Sequence, residues 1–527
     1  MMTILMRLLP RTHAVLKIFV LMLSLTVALN LPVINSAQAA APDAKIQALK
    51  TVFETFLSEQ KTLADKSGGA QFEYDGEIMI EPAADYYAVT LPHIKVAYPD
   101  GSRVDIGMIS INASAHVPGQ WKMALAIPTP LLLRESPDAA PIKINIGTQK
   151  AAGIWDESLK GFAKLDAQYG NITINQPDAP YTLAINEARI VYDYTKNADA
   201  TWTGPGYFAL KETALVWPAN KSTLKLAELK GEINLTQYNP AAVAAYRANI
   251  MGAADGTTPA SQNTVLDQLS QLITSLGGGI KSGFTLMGLE ITRPDPATNT
   301  PQTFTAKSGF ARIDARNFAA EKAGLGIGLG FDGIATNPVP KGYEGVLPSS
   351  LNIDLDLADM PIKGLLDLGK TTYQATLENP AMTQLAGMSF LMKAPAILSA
   401  AGTGFNIKDS YIANSEYRFN MAGTAKADIS AINFATGQFK GEFSGLDPLI
   451  KRLEAIANDP AHPMAGRATV LSQSLKTMQA SGAVKPGTET NPIYTYDVVL
   501  DNKGQVLLNG KSMLGTTPAT SPAPATP

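Results

Sequence analysis

The chain has 527 residues, a formal net charge of −3, 17% charged residues and no cysteine. That length allows two or three domains with a substantial core, while so mild an acidity gives no reason to condense on nucleic acid or anionic headgroups. The missing cysteine excludes disulfides, thiolate metal sites, thiol nucleophiles and lipobox lipidation.

Residues 1–39 read as an export leader. Arg7, Arg11 and Lys17 form a positive n-region, Ile18 to Leu29 a short apolar h-region, and Ala37-Gln-Ala39 a small-x-small cleavage site. The competing reading is an uncleaved inner-membrane anchor, although the apolar run falls short of the ~20 residues of a comfortable span. Loss of the leader takes the formal charge from −3 to −6. The expected location is the periplasm, where nucleotides and chromosomal DNA are scarce.

Asp43 to Lys66 is predicted helical, with Ile46, Leu49, Phe53, Phe56, Leu57 and Leu63 at helical spacing. Strand-like alternation follows over Phe72–Ile80, Tyr87–Leu91, His93–Tyr98 and Arg103–Asn112. Pro99-Asp-Gly101 is a hairpin turn, since proline presets its φ and glycine accepts a positive one. The frame recurs: Leu91…Ile94-x-Val96-x-Tyr98-Pro99, Leu210…Thr213-x-Leu215-x-Trp217-Pro218 and Leu286…Leu289-x-Ile291-x-Arg293-Pro294. Internal duplication and convergent hairpin chemistry both account for it.

Helices are predicted over Pro240–Met251, Thr264–Leu276, Ala381–Met392, Asp447–Ala457 and Pro463–Ala480. A linker at residues 252–260 divides an N-terminal β-rich region, 40–251, from a C-terminal β-rich region with helical inserts, 261–515. A hairpin joins Ile493–Leu500 to Gln505–Leu508. Residues 516–527 hold only Thr, Pro, Ala and Ser, and are expected to be disordered.

Most motifs fail on context. Gly364-Leu-Leu-Asp-Leu-Gly369-Lys370-Thr371 matches the P-loop expression, but its leucines and Ile362 fall at helical spacing. Gly328-Leu-Gly330-Phe-Asp-Gly333 satisfies G-x-G-x-x-G, yet Ala-Thr-Asn-Pro-Val-Pro follows where a helix is required. Gly324–Phe331 reads instead as a strand with large apolar residues on one face and Gly324, Gly326, Gly328 and Gly330 on the other. Such a bare face admits a neighbouring helix or an apolar ligand. Asp354 and Asp356 look like paired acids, but alternation with Leu351, Ile353, Leu355 and Leu357 places them on the outward face of a solvated edge. His93, His116 and His462 lack metal-ligand spacing, and there is no G-x-S-x-G elbow. Trp121, Trp155, Trp202 and Trp217 are spread as core or strand-end residues. No catalytic, cofactor-binding or metal-ligating residue is expected.

Three stretches near the start, Tyr86–Ile94, Asp100–Gly107 and Pro118–Met123, carry a family likeness, as do the tyrosine-rich strand, Leu508–Lys511 and the Pro/Ala tail. On these the chain resembles the uncharacterised bacterial envelope proteins of the YdgA-like family. It resembles still more the related alphaproteobacterial periplasmic proteins of unknown function that open with an export signal and a short helix. The shared features are hairpin and turn signatures over most of the mature chain. Where YdgA-like proteins keep an N-terminal anchor, this chain carries a cleavage site. The resemblance implies an elongated antiparallel β-rich body with helical inserts and a role in the envelope. It supplies no catalytic residue.

The expectation is therefore α+β: a mainly antiparallel sheet of repeated hairpins with interspersed amphipathic helices. The expected function is non-enzymatic, the binding of an apolar ligand such as lipid or of an envelope partner, with peripheral membrane contact at most. A structural or assembly factor without ligand is the alternative, and a periplasmic hydrolase built from distant acids a third. No cofactor, nucleotide or nucleic acid is expected.

Overall fold

The computed structural model describes residues 42–67, 70–176, 178–246, 267, 270–273, 277–295, 298–339, 342–378, 383–486, 488 and 491–513. The expected leader, the 252–260 linker and the tail lie outside these residues. So do residues 247–251 of the Pro240–Met251 helix and most of the Thr264–Leu276 helix. The fold is α+β and its sheet is mainly antiparallel. The chain divides into two compact units, Met1–Ser308 and Gly309–Pro527.

In the first unit the predicted opening helix spans Pro42–Ser67 and buries Leu49, Phe53, Phe56 and Leu57. These side chains join one core with the strands that follow. Arg103–Asn112 is not the single strand that its alternation suggests. Gly107, at φ +82°, splits it into Arg103–Gly107 and Ser110–Ala115. The first half pairs with His93–Ala97 and the second with Tyr87–Thr90 and Gln120–Ala126. Phe72–Ile80 divides likewise, into Gln71–Asp75 and Met79–Pro82, at Gly76 with φ +104°.

Each of the three proline frames closes a hairpin. His93–Ala97 pairs with Arg103–Gly107, and Trp202–Trp217 with Ser222–Tyr238. In the third, Asp295 N–H donates to the Thr300 carbonyl at 2.8 Å. The first hairpin has a 5-residue leading strand and the other two have 16-residue ones, so the common frame extends only to the turn-proximal residues.

The long strands run in register from Ile142–Asp156 through Gly161–Ile174, Thr182–Asp193, Trp202–Trp217 and Ser222–Tyr238 to Gly279–Pro294. At one level across them the alternation breaks. Asn171, Glu212 and Gly288 have φ of 53°, 51° and 61°. In Gly161–Ile174 the buried set passes from Leu165, Ala167 and Tyr169 to Ile172 and Ile174. In the next strand it passes from Leu183 and Ile185 to Ala188, Ile190 and Tyr192. All of these belong to one core, so each strand shifts from one parity to the other without leaving it.

The second unit takes in the Pro301–Arg316 strand from residue 309. Ala323–Asp332, Ser350–Met360, Gly404–Ala413, Arg418–Ala427, Ala435–Ser444 and Ile493–Leu500 follow as antiparallel neighbours. The helices Ile362–Glu378 and Thr383–Ala401 are inserted between the second and third strands of that series. A second pair, Leu446–Ala457 and Ala465–Ser481, is inserted before the last strand. Leu446, Leu449, Ile450, Leu453 and Ile456 of that pair form a core with Tyr417, Phe443, Tyr494 and Tyr496. Their spacing of three and four residues puts them on one helical face.

Candidate functional site

The Ala323–Asp332 strand has two unlike faces. Its glycines do not form an apolar surface. Gly324, Gly328 and Gly330 are buried, and side chains of the neighbouring Pro301–Arg316 strand lie over them. A β-carbon on Gly328 would come within 2.5 Å of Arg312 Nε, and one on Gly324 within 2.7 Å of the Arg316 guanidinium. Gly326 faces Asp314, and Gly330 faces the Phe310 ring. The bare face is thus filled mainly by charged side chains from the next strand.

The arginines continue past the glycines to the strand beyond. Gly326 is in register with Asp356 and Gly328 with Asp354. Arg312 donates to Asp354 at 2.7 Å, and Arg316 to Asp356 at 2.5 Å. A side chain at Gly328 would block the first path, and one at Gly324 the second. Lys408 lies 3.5 Å from the second carboxylate of this face, Asp356. Ser350–Met360 is not a solvated edge. It is paired on both sides, and the Asp356 side chain is only 9% exposed. Burial by itself pushes the Asp356 carboxyl up, but the Arg316 and Lys408 cations outweigh it and hold the group below its ordinary value. Sequence reasoning missed Arg312, Asp314 and Arg316. The available signal was an alternating R-x-D-x-R run set against G-x-G-x-G.

The opposite face carries the large apolar side chains. Gly328 lies against Arg312 and Gly326 against Asp314, which sets Ile327 across from Ile313; Ile327 pairs with Leu355, and Leu355 with Ile407. The row continues through Gly423 and Phe439 to Val498. None of its large side chains is buried. Six strand spacings of ~4.8 Å make it about 29 Å long. Beside it Leu329 pairs with Ile353, Leu325 with Leu357, and Leu357 with Phe405. Ile313, Ile327, Leu329 and Phe405 are 52%, 45%, 48% and 37% exposed. The Leu446–Ala457 and Ala465–Ser481 helices cover this face only at its far end, around the in-register row Phe419–Phe443–Tyr494.

The other sequence motifs are accounted for locally. Gly364–Thr371 lies wholly inside the Ile362–Glu378 helix, so its amides serve the helix and form no phosphate loop. After Gly333 the chain forms the short Ala335–Asn337 strand. His93 sits within a strand and bonds Asp105 at 2.5 Å. His462 Nδ1 accepts from the Met464 amide. All four tryptophans are buried. Among the described residues no group of three or more His, Asp or Glu side chains is placed to hold a metal. No family model matches the chain, nor does any curated protein or solved structure.

Proposed function

We propose that the second unit binds an apolar ligand, a lipid acyl chain, on the Ile313–Ile327–Leu355–Ile407 face, and that the protein does so as a non-enzymatic component of the periplasm. The observation that carries this reading is a run of aliphatic side chains across adjacent strands, exposed at Ile313 and Ile327 and half-buried at Leu355 and Ile407. An antiparallel sheet normally solvates one face with polar residues and buries the other. Here the polar face is closed by its own ion pairs and the apolar one is open. Contiguous apolar surface of this kind marks a ligand or partner site. At ~4.8 Å per strand the row is about 29 Å long, enough for an extended acyl chain laid across the strands.

The leader motif supports export, and the likeness to the YdgA-like proteins supports an envelope role. Both belong to the proposal. Asp354 and Asp356, the acids weighed for hydrolysis, are each held by an arginine. A free general acid and base are therefore not offered at that position.

The test is native mass spectrometry and solvent extraction of protein purified from the periplasm, alongside titration with a fluorescent fatty acid. Retained lipid and saturable binding, both reduced in Ile327→Asp and Leu329→Asp, are the expected results. Lipid-free protein with no saturable probe binding would overturn the reading.

A further inference from the structure

Two glycines on the apolar face of the second unit lie under phenylalanine rings. Gly423 is in register with Phe439, and a β-carbon on it would come within 2.5 Å of that ring. A β-carbon on Gly441 would come within 3.2 Å of the Phe419 ring. In each case the ring fills the place of the side chain that glycine lacks, as aromatic residues do beside strand glycines.

The surroundings of the two rings differ. Phe419 touches Phe443 and Tyr496, with ring centroids 5.4 Å and 6.4 Å away, in the core that the Leu446–Ala457 and Ala465–Ser481 helices close. Phe439 instead touches Phe405 at 6.4 Å, and Phe405 is 37% exposed. Neither Phe405 nor Phe439 is among the described residues of that core. The row from Ile407 passes through Gly423 and Phe439 to Val498. Without the Phe439 ring it would break at Gly423 into a notch one side chain deep.

We propose that Phe439 is a specificity residue: it lies under the bound acyl chain, keeps the floor of the row level, and so selects an unbranched chain over one that carries a ring. The inference rests on the acyl-chain reading above and names the shape of that ligand. A straight chain touches every residue of a level row. A bulky group is held off the floor, and the chain beside it loses dispersion contacts. A misfit of a single methylene is worth roughly tenfold or more in selectivity.

The four native tryptophans, Trp121, Trp155, Trp202 and Trp217, all lie in the first unit, so Phe439→Trp gives the second unit a reporter on the row. Stearic acid brominated at mid-chain should quench it saturably, beyond any quenching of the parent protein. Phe439→Ala is titrated with a straight-chain and a cyclohexyl-terminated fatty acid, and its preference should move ~tenfold toward the ring-bearing acid. Phe439→Leu leaves a smaller gap and should move it less. Circular dichroism and urea unfolding check that the variants fold. A Phe439→Trp protein that binds fatty acid saturably without being quenched would overturn this inference and leave the sheet reading standing. So would an unchanged preference in Phe439→Ala. No saturable binding by the parent protein would overturn the acyl-chain reading, and this inference with it.

Discussion

Arg312 reaches Asp354 by lying across Gly328, a residue on the strand between them. Arg316 crosses the same strand at Gly324 and reaches diagonally to Asp356, which is in register with Gly326. The glycines are therefore spacers for ion pairs that skip a strand. A β-carbon on Gly328 meets the middle of the Arg312 side chain at Nε, Cγ and Cδ, which cannot swing away without losing Asp354. Gly328→Val should cost about 1–3 kcal/mol, the usual range for overpacking. On Gly326 the nearest atom to an added β-carbon is 3.4 Å away, so Gly326→Ala should stay within about 0.5 kcal/mol. Urea unfolding of the two variants checks the contrast. Equal losses would mean that the spacer account is wrong.

Acid should weaken the protein through Asp356 and Asp156. Burial opposes ionisation of both. Arg316 and Lys408 reverse this for Asp356, and hydrogen bonds from Ser158, Gln120 and Leu159 do so for Asp156. Each carboxyl is thus depressed in the folded state and binds fewer protons there than when unfolded. Its contribution is complete above the unfolded value near ~4 and is lost as pH falls through the lower folded value. Urea midpoints should be flat from about pH 7 to pH 5 and drop below about pH 4. Arg316→Ala should lower stability at neutral pH and make the acid drop shallower. An unchanged pH profile in that variant would contradict the assignment.

The left-handed residues of the first unit give a third outcome. Asn171 has φ 53°, where asparagine and glycine are tolerated and a β-branched residue is strained. Asn171→Val should destabilise by about 1–2 kcal/mol, and Asn171→Gly by only a few tenths. Thermal melts of both variants decide it. A tolerated valine would mean that the strand can cross this level without the kink.

The same row shows how far the fold was legible. Period-2 alternation located the glycine strand and the closing hairpin, because there the pattern runs unbroken. Helical spacing located Pro42–Ser67 and Leu446–Ala457, whose apolar residues sit on one face. Arg103–Asn112 read as one strand although its apolar set slips from Val104 and Ile106 to Ile109 and Ile111, the change of parity that accompanies the break at Gly107. For the glycine strand, the two-faced pattern was readable but not what covered each face. That depends on Arg312 and Arg316, which come from another strand and are long enough to cross it. The Thr383–Ala401 helix continues nine residues past its expected end at Met392, through Pro395. A proline signals a helix end by local rules, and here the helix runs through it.

Leu329 and Leu453 separate an open face from a core. Leu453 is buried in the helix–sheet cluster of the second unit, and Leu453→Ala should cost about 2–5 kcal/mol by leaving a cavity. Leu329 is 48% exposed on the apolar row, so Leu329→Gln should change stability by no more than about 1 kcal/mol. Its effect should fall on fatty-acid binding, where a polar group on the row leaves an amide facing a hydrocarbon chain. Urea unfolding and probe titration on the same two proteins give four values. Binding lost with Leu329→Gln at near-parental stability fits an open ligand face. A stability loss as large as that of Leu453→Ala would instead place Leu329 in a closed core, and the apolar row would then need no ligand to explain it.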